Sequence, residues 1–263
     1  MALFDLFRRR AAPPPPDPME LALAAFQRGD YAEALNLWEP LARAGDARAQ
    51  SNIGACFAEG MGVERNPALA LTWLTLAAEA GYPAGQRNLA ALYLQGGGDA
   101  VEADPAHAAA LYRQAAEQGD AQAQDMLSWM LLEGEVIPSD PEEAHRWALA
   151  AAEAGIASSM TRMGMLYHHA LGVERDVAEA ARWWRRGAGH GDADGQAMLG
   201  AAYVLGAGVE ADPVTALAWL LRAQAGGSGL AQPFLGPARA RLDDAGRAEA
   251  ARRAALPLEE EGA

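Results

Sequence analysis

The sequence contains no lysine. All 21 basic residues are arginine, set against 35 aspartates and glutamates, which leaves a net charge of −14 and a pI near 4.7. A surface this acidic repels phosphate backbones and excludes general nucleic-acid binding. There is a single cysteine, Cys56, so an intramolecular disulfide and a CxxC metal site are both excluded; its position in a helical pattern predicts a buried thiol. No apolar run reaches the ~20 residues needed to span a bilayer. A secretory leader places its positive charge ahead of the apolar stretch, whereas here Arg8–Arg10 follow a very short one, so no export and a cytoplasmic location are expected.

The opening residues, MALFDLFRRRAAPPPPDP, have two readings. In one, Leu3, Phe4, Leu6 and Phe7 touch a membrane surface while Arg8, Arg9 and Arg10 meet anionic headgroups, giving weak peripheral contact at the inner membrane. In the other they are a frayed tail. Pro13–Pro16 and Pro18 then form a stiff, extended spacer.

What is present is enough apolar material for a core, 51% of 263 residues, and a period. GDARAQSNIGACFAEG (45–60) is echoed by GDAQAQDMLSWMLLEG (119–134) and GDADGQAMLGAAYVLG (191–206). Aligned on their first glycine, the blocks begin at Gly45, Gly81, Gly119, Gly155, Gly191 and Gly227, in steps of 36, 38, 36, 36 and 36 residues; the long step reflects the loop GGGDAVEAD. A segment made several times at fixed spacing is architecture before it is chemistry.

Each block reads as two helices. The opening glycine ends the helix before it, and Asp46, Asp120 and Asp192 suit an N-cap. The first helix carries an apolar i, i+4 stripe: Ile53/Phe57, Leu89/Tyr93, Leu127/Leu131, Met163/Tyr167 and Leu199/Tyr203. Beside it stand Gly54, Ala90, Ser128, Gly164 and Gly200, small residues that imply close approach of a second helix. Asn66-Pro67, Asp104-Pro105, Asp140-Pro141 and Asp212-Pro213 mark the second helix start, an N-cap followed by proline at the first helical position. Ala70, Ala108, Ala144, Ala180 and Ala216 follow, then Trp73, Leu111, Trp147, Trp183 and Trp219 three residues on. One such pair cannot bury its apolar faces alone, but a stack can.

The pattern A-x-A-Q…L-G-x-x-Y…G-x-G-V…D…A…W…A over residues 45–226 resembles the Sel-one-like repeat family, a relative of the tetratricopeptide repeat. Ser128 in place of the helix glycine, Leu111 in place of Trp, and the missing G-x-G at Gly134–Ile137 depart from it locally. The expected fold is all-α: a right-handed α-solenoid, or superhelix, of stacked antiparallel helix pairs with a 36-residue repeat. Its parts are a tail over 1–18, a capping helix pair over 19–44, five repeats (45–80, 81–118, 119–154, 155–190, 191–226) and capping helices over 227–263. The resemblance implies a protein-binding adaptor whose first helices line a concave face, without enzymatic activity and without cofactors. Cysteine-rich secreted relatives that act on β-lactams or cell wall supply an alternative, disfavoured by the single cysteine and the absent leader; a membrane-peripheral adaptor tethered by residues 3–10 is a third.

Sites of chemistry are scarce. His168 and His169 point about 100° apart on a helix and cannot readily chelate one ion together, and no HExxH accompanies them. The G-x-G pairs recur from repeat to repeat without the G-K-[ST] of a phosphate loop. No serine or cysteine sits in a nucleophile elbow. No metal and no catalytic residue is therefore expected. On the face opposite the core stripe, by contrast, the candidate partner-binding residues are Asn52, Asn88, Met126, Trp129, Arg162, Met165, His169 and Met198. Trp129 stands where other repeats carry small residues, with adaptable methionines around it; the competing reading is that it packs sideways as core. The partner is an unidentified protein or peptide, and the chain is expected to be a monomer.

Overall fold

The computed structural model describes residues 17–258. Residues 1–16 and 259–263 lie outside the described residues, and with them the proposed membrane contact at Leu3–Arg10 and most of the proline spacer. Among the described residues there are fourteen α-helices and no strand, so the chain is an all-α repeat solenoid. It divides into two compact units, 1–103 and 104–263, and the division falls inside the second repeat, at the loop lengthened by two residues.

The first unit holds α1 (Pro18–Gln27), α2 (Tyr31–Arg43), α3 (Ala47–Glu59), α4 (Pro67–Glu79) and α5 (Pro83–Gln95). Met19, Ala22, Ala25, Ala34, Trp38, Ala42, Ile53 and Cys56 form its core, with Phe57 and Trp73 packed against them. The Cys56 thiol is fully buried, and burial pushes its pKa up to about 11.

The second unit holds α6 (Pro105–Glu117), α7 (Ala121–Glu133), α8 (Pro141–Glu153), α9 (Ala157–His169), α10 (Val177–Gly189), α11 (Ala193–Leu205) and α12 (Pro213–Ala225). A single 3-10 turn (Gly229–Ala231), α13 (Gln232–Ala240) and α14 (Asp244–Ala255) close it. These last helices pack on α12, and Arg222 donates to the carbonyls of Arg253 and Leu256 at the end of α14.

The helices start where the capping residues place them. Asp46, Asp120 and Asp192 accept from the amides of Ala49, Ala123 and Gly195 at 2.9, 2.9 and 2.7 Å. Asn66, Asp104 and Asp140 do the same for Leu69, His107 and Glu143 at 3.0, 2.9 and 2.9 Å. Each cap satisfies a donor that the helix itself leaves unpaired. The glutamine of A-x-A-Q has its own task. Gln50, Gln124 and Gln196 are buried and donate through Nε2 to the carbonyls of Ala42, Ala116 and Ala188, tying each first helix to the helix before it.

The small residue in mid-helix marks the closest approach within a pair. A Cβ on Gly54 would lie 2.6 Å from Leu74, on Gly200 2.7 Å from Leu220, and on Gly164 closer still to the ring of Trp184. In the third repeat Ser128 fills the place instead, its Oγ donating to the Ala144 carbonyl at 2.8 Å, and Ala148 stands where the others carry Leu74, Trp184 and Leu220.

Candidate interaction surface

The core stripe and the outward stripe of each first helix follow from one period. With Ile53, Leu89, Leu127, Leu131, Met163 and Leu199 buried against the second helices, residues on the opposite side must face outward. In the second unit α11 packs on α9, and α9 is bonded to α7, so the three first helices lie side by side.

Trp129 is 39% exposed, in contrast to the buried Trp38, Trp183 and Trp184. Met165, at the same repeat position on α9, is also 39% exposed. On α11 that position is Ala201, which is buried, but Leu205 one turn on is 65% exposed. Met126 and Met198 are half-buried beside this line. The second unit thus presents an exposed apolar row across α7, α9 and α11, and Leu205 belongs to it although the sequence did not single it out.

Arg162 sits in this face but is already engaged. Its guanidinium pairs with the Asp125 carboxylate and also donates to the Asp125 carbonyl at 3.1 Å; the side chains are only 14% and 16% exposed. Asp125 accepts in addition from Ser158 at 3.1 Å and from Ser159. This cluster fastens α9 to α7 and thereby holds Trp129 and Met165 in register. His169 is exposed at the end of α9, its ring edge-on to His168 with centroids 4.7 Å apart. His168 lies 5.4 Å from the Trp184 ring. Burial, aided by His169 and Arg175, holds the His168 pKa below its ordinary value, and burial alone does so for His145.

The corresponding face of the first unit is polar and small-sided. Asn88 on α5 donates to Ser51 Oγ on α3 at 3.2 Å, and Asn52 Nδ2 is buried without a protein hydrogen-bond partner. Ala55, Ala84 and Ala91 are half-buried between them, and Arg48, Glu59 and Gln95 stand exposed toward the helix ends.

Elsewhere the chemistry is structural. Trp183 carries Arg186 over its ring at 4.2 Å, and Trp147 donates to Glu143 at 3.1 Å. A cleft of about 730 Å³ lies between α10 and the turn from α11 to α12, but Arg182 there pairs with Glu179 and Arg185 donates to the Tyr203 hydroxyl at 3.0 Å. Among the described residues no three His, Cys, Asp or Glu side chains cluster as a metal site would require, and no helix is long and apolar enough to cross a membrane.

Stacked helix pairs with a regular core and a variable outer stripe define a helical-repeat protein. The chain belongs to the Sel1 repeat family: the family profile, Sel1 repeat, matches residues 23–46, 47–82, 83–120, 121–156, 157–192 and 193–228. The first matched segment overlaps the stretch read from sequence as an opening capping helix pair. Among solved structures, the chain is similar to c5321, a protective antigen present in uropathogenic Escherichia coli strains that displays an SLR fold, with 28% identity and a TM-score of 0.82. That match covers 90% of this chain and 51% of the other, so the chain spans about half the length of that relative. It is also similar to a Sel1 repeat protein from Oxalobacter formigenes, with 28% identity, a TM-score of 0.72 and coverage of 82% and 88%. A search of the curated proteins found no match. Proteins of this family are typically protein–protein interaction scaffolds and generally non-enzymatic; the comparisons lend no support to the hydrolase alternative.

Proposed function

We propose that this chain is a non-enzymatic adaptor that holds a partner protein on the first-helix face of its second unit, with Trp129 as the central anchor. The observation that carries the reading is the row Trp129, Met165 and Leu205, exposed on three neighbouring helices. Exposed large apolar side chains in a contiguous patch mark interaction sites rather than chance exposure, and Trp is over-represented among residues that dominate binding energy. Met126 and Met198 supply adaptable surface beside the row, and His169 lies at its edge. Arg162 acts as a positioning residue through Asp125, and Asn52 and Asn88 lie on the corresponding, more polar face of the first unit.

The test is affinity capture from the native cell extract with wild type and Trp129→Ala in parallel, after both are shown to melt alike. Loss of a specific set of proteins from the variant supports the reading. Unchanged capture removes Trp129 from the binding surface.

A further inference from the structure

We infer that the partner segment is a basic amphipathic helix, laid across α7, α9 and α11 with an apolar residue at every seventh position; this rests on the reading of the second unit's face as the recognition surface.

Three observations lead there. The first is spacing. Trp129 and Met165 occupy equivalent places on neighbouring helices, and Leu205 lies one turn beyond the equivalent place on the third. Packed helices stand roughly 8–10 Å apart, and an α-helix advances about 10.5 Å in seven residues. Apolar side chains at i, i+7 and i+14 of a crossing helix therefore meet the three in turn.

The second is the want of backbone partners. An extended peptide brings an unpaired N–H and C=O at each residue, and these need partners when water is displaced. The middle of this face is Met126, Trp129, Met165, Met198 and Ala201; the Trp129 indole N–H is a single donor there, and the Arg162 guanidinium is held by Asp125. A helix pairs its own backbone and asks nothing of such a surface.

The third is charge. The only cation on α7, α9 and α11 is Arg162, neutralised by Asp125. Glu133 lies one turn after Trp129 and is exposed; Asp194 lies one turn before Met198, exposed while accepting from Ser228 Oγ at 2.6 Å. Arg241 reaches the Val204 carbonyl at the Leu205 end. Cationic side chains of the partner are favoured beside Glu133 and Asp194 and disfavoured next to Leu205. The net charge of −14 steers a basic segment toward the chain over longer range.

The experiment uses the full chain and three fluorescently labelled peptides of about 20 residues, long enough to cross three helices. One is a Lys/Ala helix with leucine at every seventh position. The second replaces its lysines by glutamate. The third has the composition of the first with its leucines scattered around the helix. Fluorescence anisotropy should show the first binding at least tenfold tighter than the other two, and about 30-fold weaker to Trp129→Ala, the loss expected of a central anchor. Leu205→Ser, at a site too exposed to disturb folding, should weaken it as well. Equal binding of the acidic or the scattered peptide, or wild-type binding by both variants, overturns the inference. If no peptide binds while Trp129→Ala still strips specific proteins from extract, the helix falls and the recognition surface stands. If capture from extract is also unchanged, both fall.

Discussion

The first helices of the two units share a period, a capping scheme and a buried stripe, yet turn different faces outward. On α3 and α5 the outward positions read Arg48, Asn52, Ala55, Glu59 and Ala84, Asn88, Ala91, Gln95; on α7, α9 and α11 they read Gln122, Met126, Trp129, Glu133, then Ser158, Arg162, Met165, His169, then Asp194, Met198, Ala201, Leu205. Packing fixes the inward offsets, because a side chain there must fit against a second helix. Apart from such contacts as Arg162 to Asp125 and Asn88 to Ser51, the fold leaves the outward ones free to vary. The proposed recognition surface rests on that difference, which separates a polar, small-sided face from one with exposed large apolar side chains.

The units also join their neighbouring first helices differently. In the second, Asp125 collects Ser158, Ser159 and Arg162; in the first, the bond is the neutral one from Asn88 to Ser51. Asp125→Ala should cost roughly 3 kcal/mol, since it leaves a largely buried guanidinium without its partner. Asn88→Ala should cost about 1 kcal/mol. Urea unfolding at low and high salt checks both, and equal losses would erase the distinction.

Next in size is Trp129→Ala, which should weaken partner binding by about 2 kcal/mol or more while changing stability by no more than about 1 kcal/mol at a surface site. A stability loss of roughly 3–5 kcal/mol, as for a buried ring, would instead make Trp129 core.

The helix glycines give a finer contrast. Alanine at Gly54 or Gly164 gains about 1 kcal/mol of helix propensity, set against overpacking of roughly 1–3 kcal/mol. Leu74 can shift away from a new methyl at residue 54, whereas the broad ring of Trp184 cannot easily do so at 164. Gly54→Ala should be close to neutral and Gly164→Ala destabilising by about 1–2 kcal/mol; denaturation midpoints decide.

The smallest expected effect is on pH response. All five histidines lie in the second unit, and burial depresses His145 and His168 below the ordinary 6.5. A depressed folded value means that the unfolded state binds protons first as pH falls. Stability from these groups is present above about pH 6.5 and is lost as pH falls through the depressed values. Histidine NMR and urea midpoints at neutral and mildly acidic pH should show the second unit weakening, while labelling of the buried Cys56 thiol, which reports opening of the first unit, changes less.

Much of this fold was legible in the sequence because its signals are local and repeated: an aspartate or asparagine that caps, an i, i+4 stripe that buries, a small residue where helices meet. The partner of that small residue was not read, because the fixed step from Gly164 to Trp184, shared with Gly54 to Leu74 and Gly200 to Leu220, shows that the two positions touch only once the helices are packed. Asp125 escaped for a similar reason, its three partners all lying on the next repeat's first helix. The two extra residues in the second repeat were visible, but a longer loop says only that the chain has room, not that the contacts divide there. Of the outward face, Trp129 stood out by contrast with its equivalents, while Leu205 falls on the same stripe but its exposure at the helix end was not legible.

The measurement that tests the difference between the faces most directly is the affinity of a captured partner for Trp129→Ala and for Asn88→Ala, each with its melting temperature verified. The expected result is a loss of about 30-fold or more for the first and less than about threefold for the second. Equal losses, or a larger loss from Asn88→Ala, would contradict the assignment of recognition to the apolar face of the second unit.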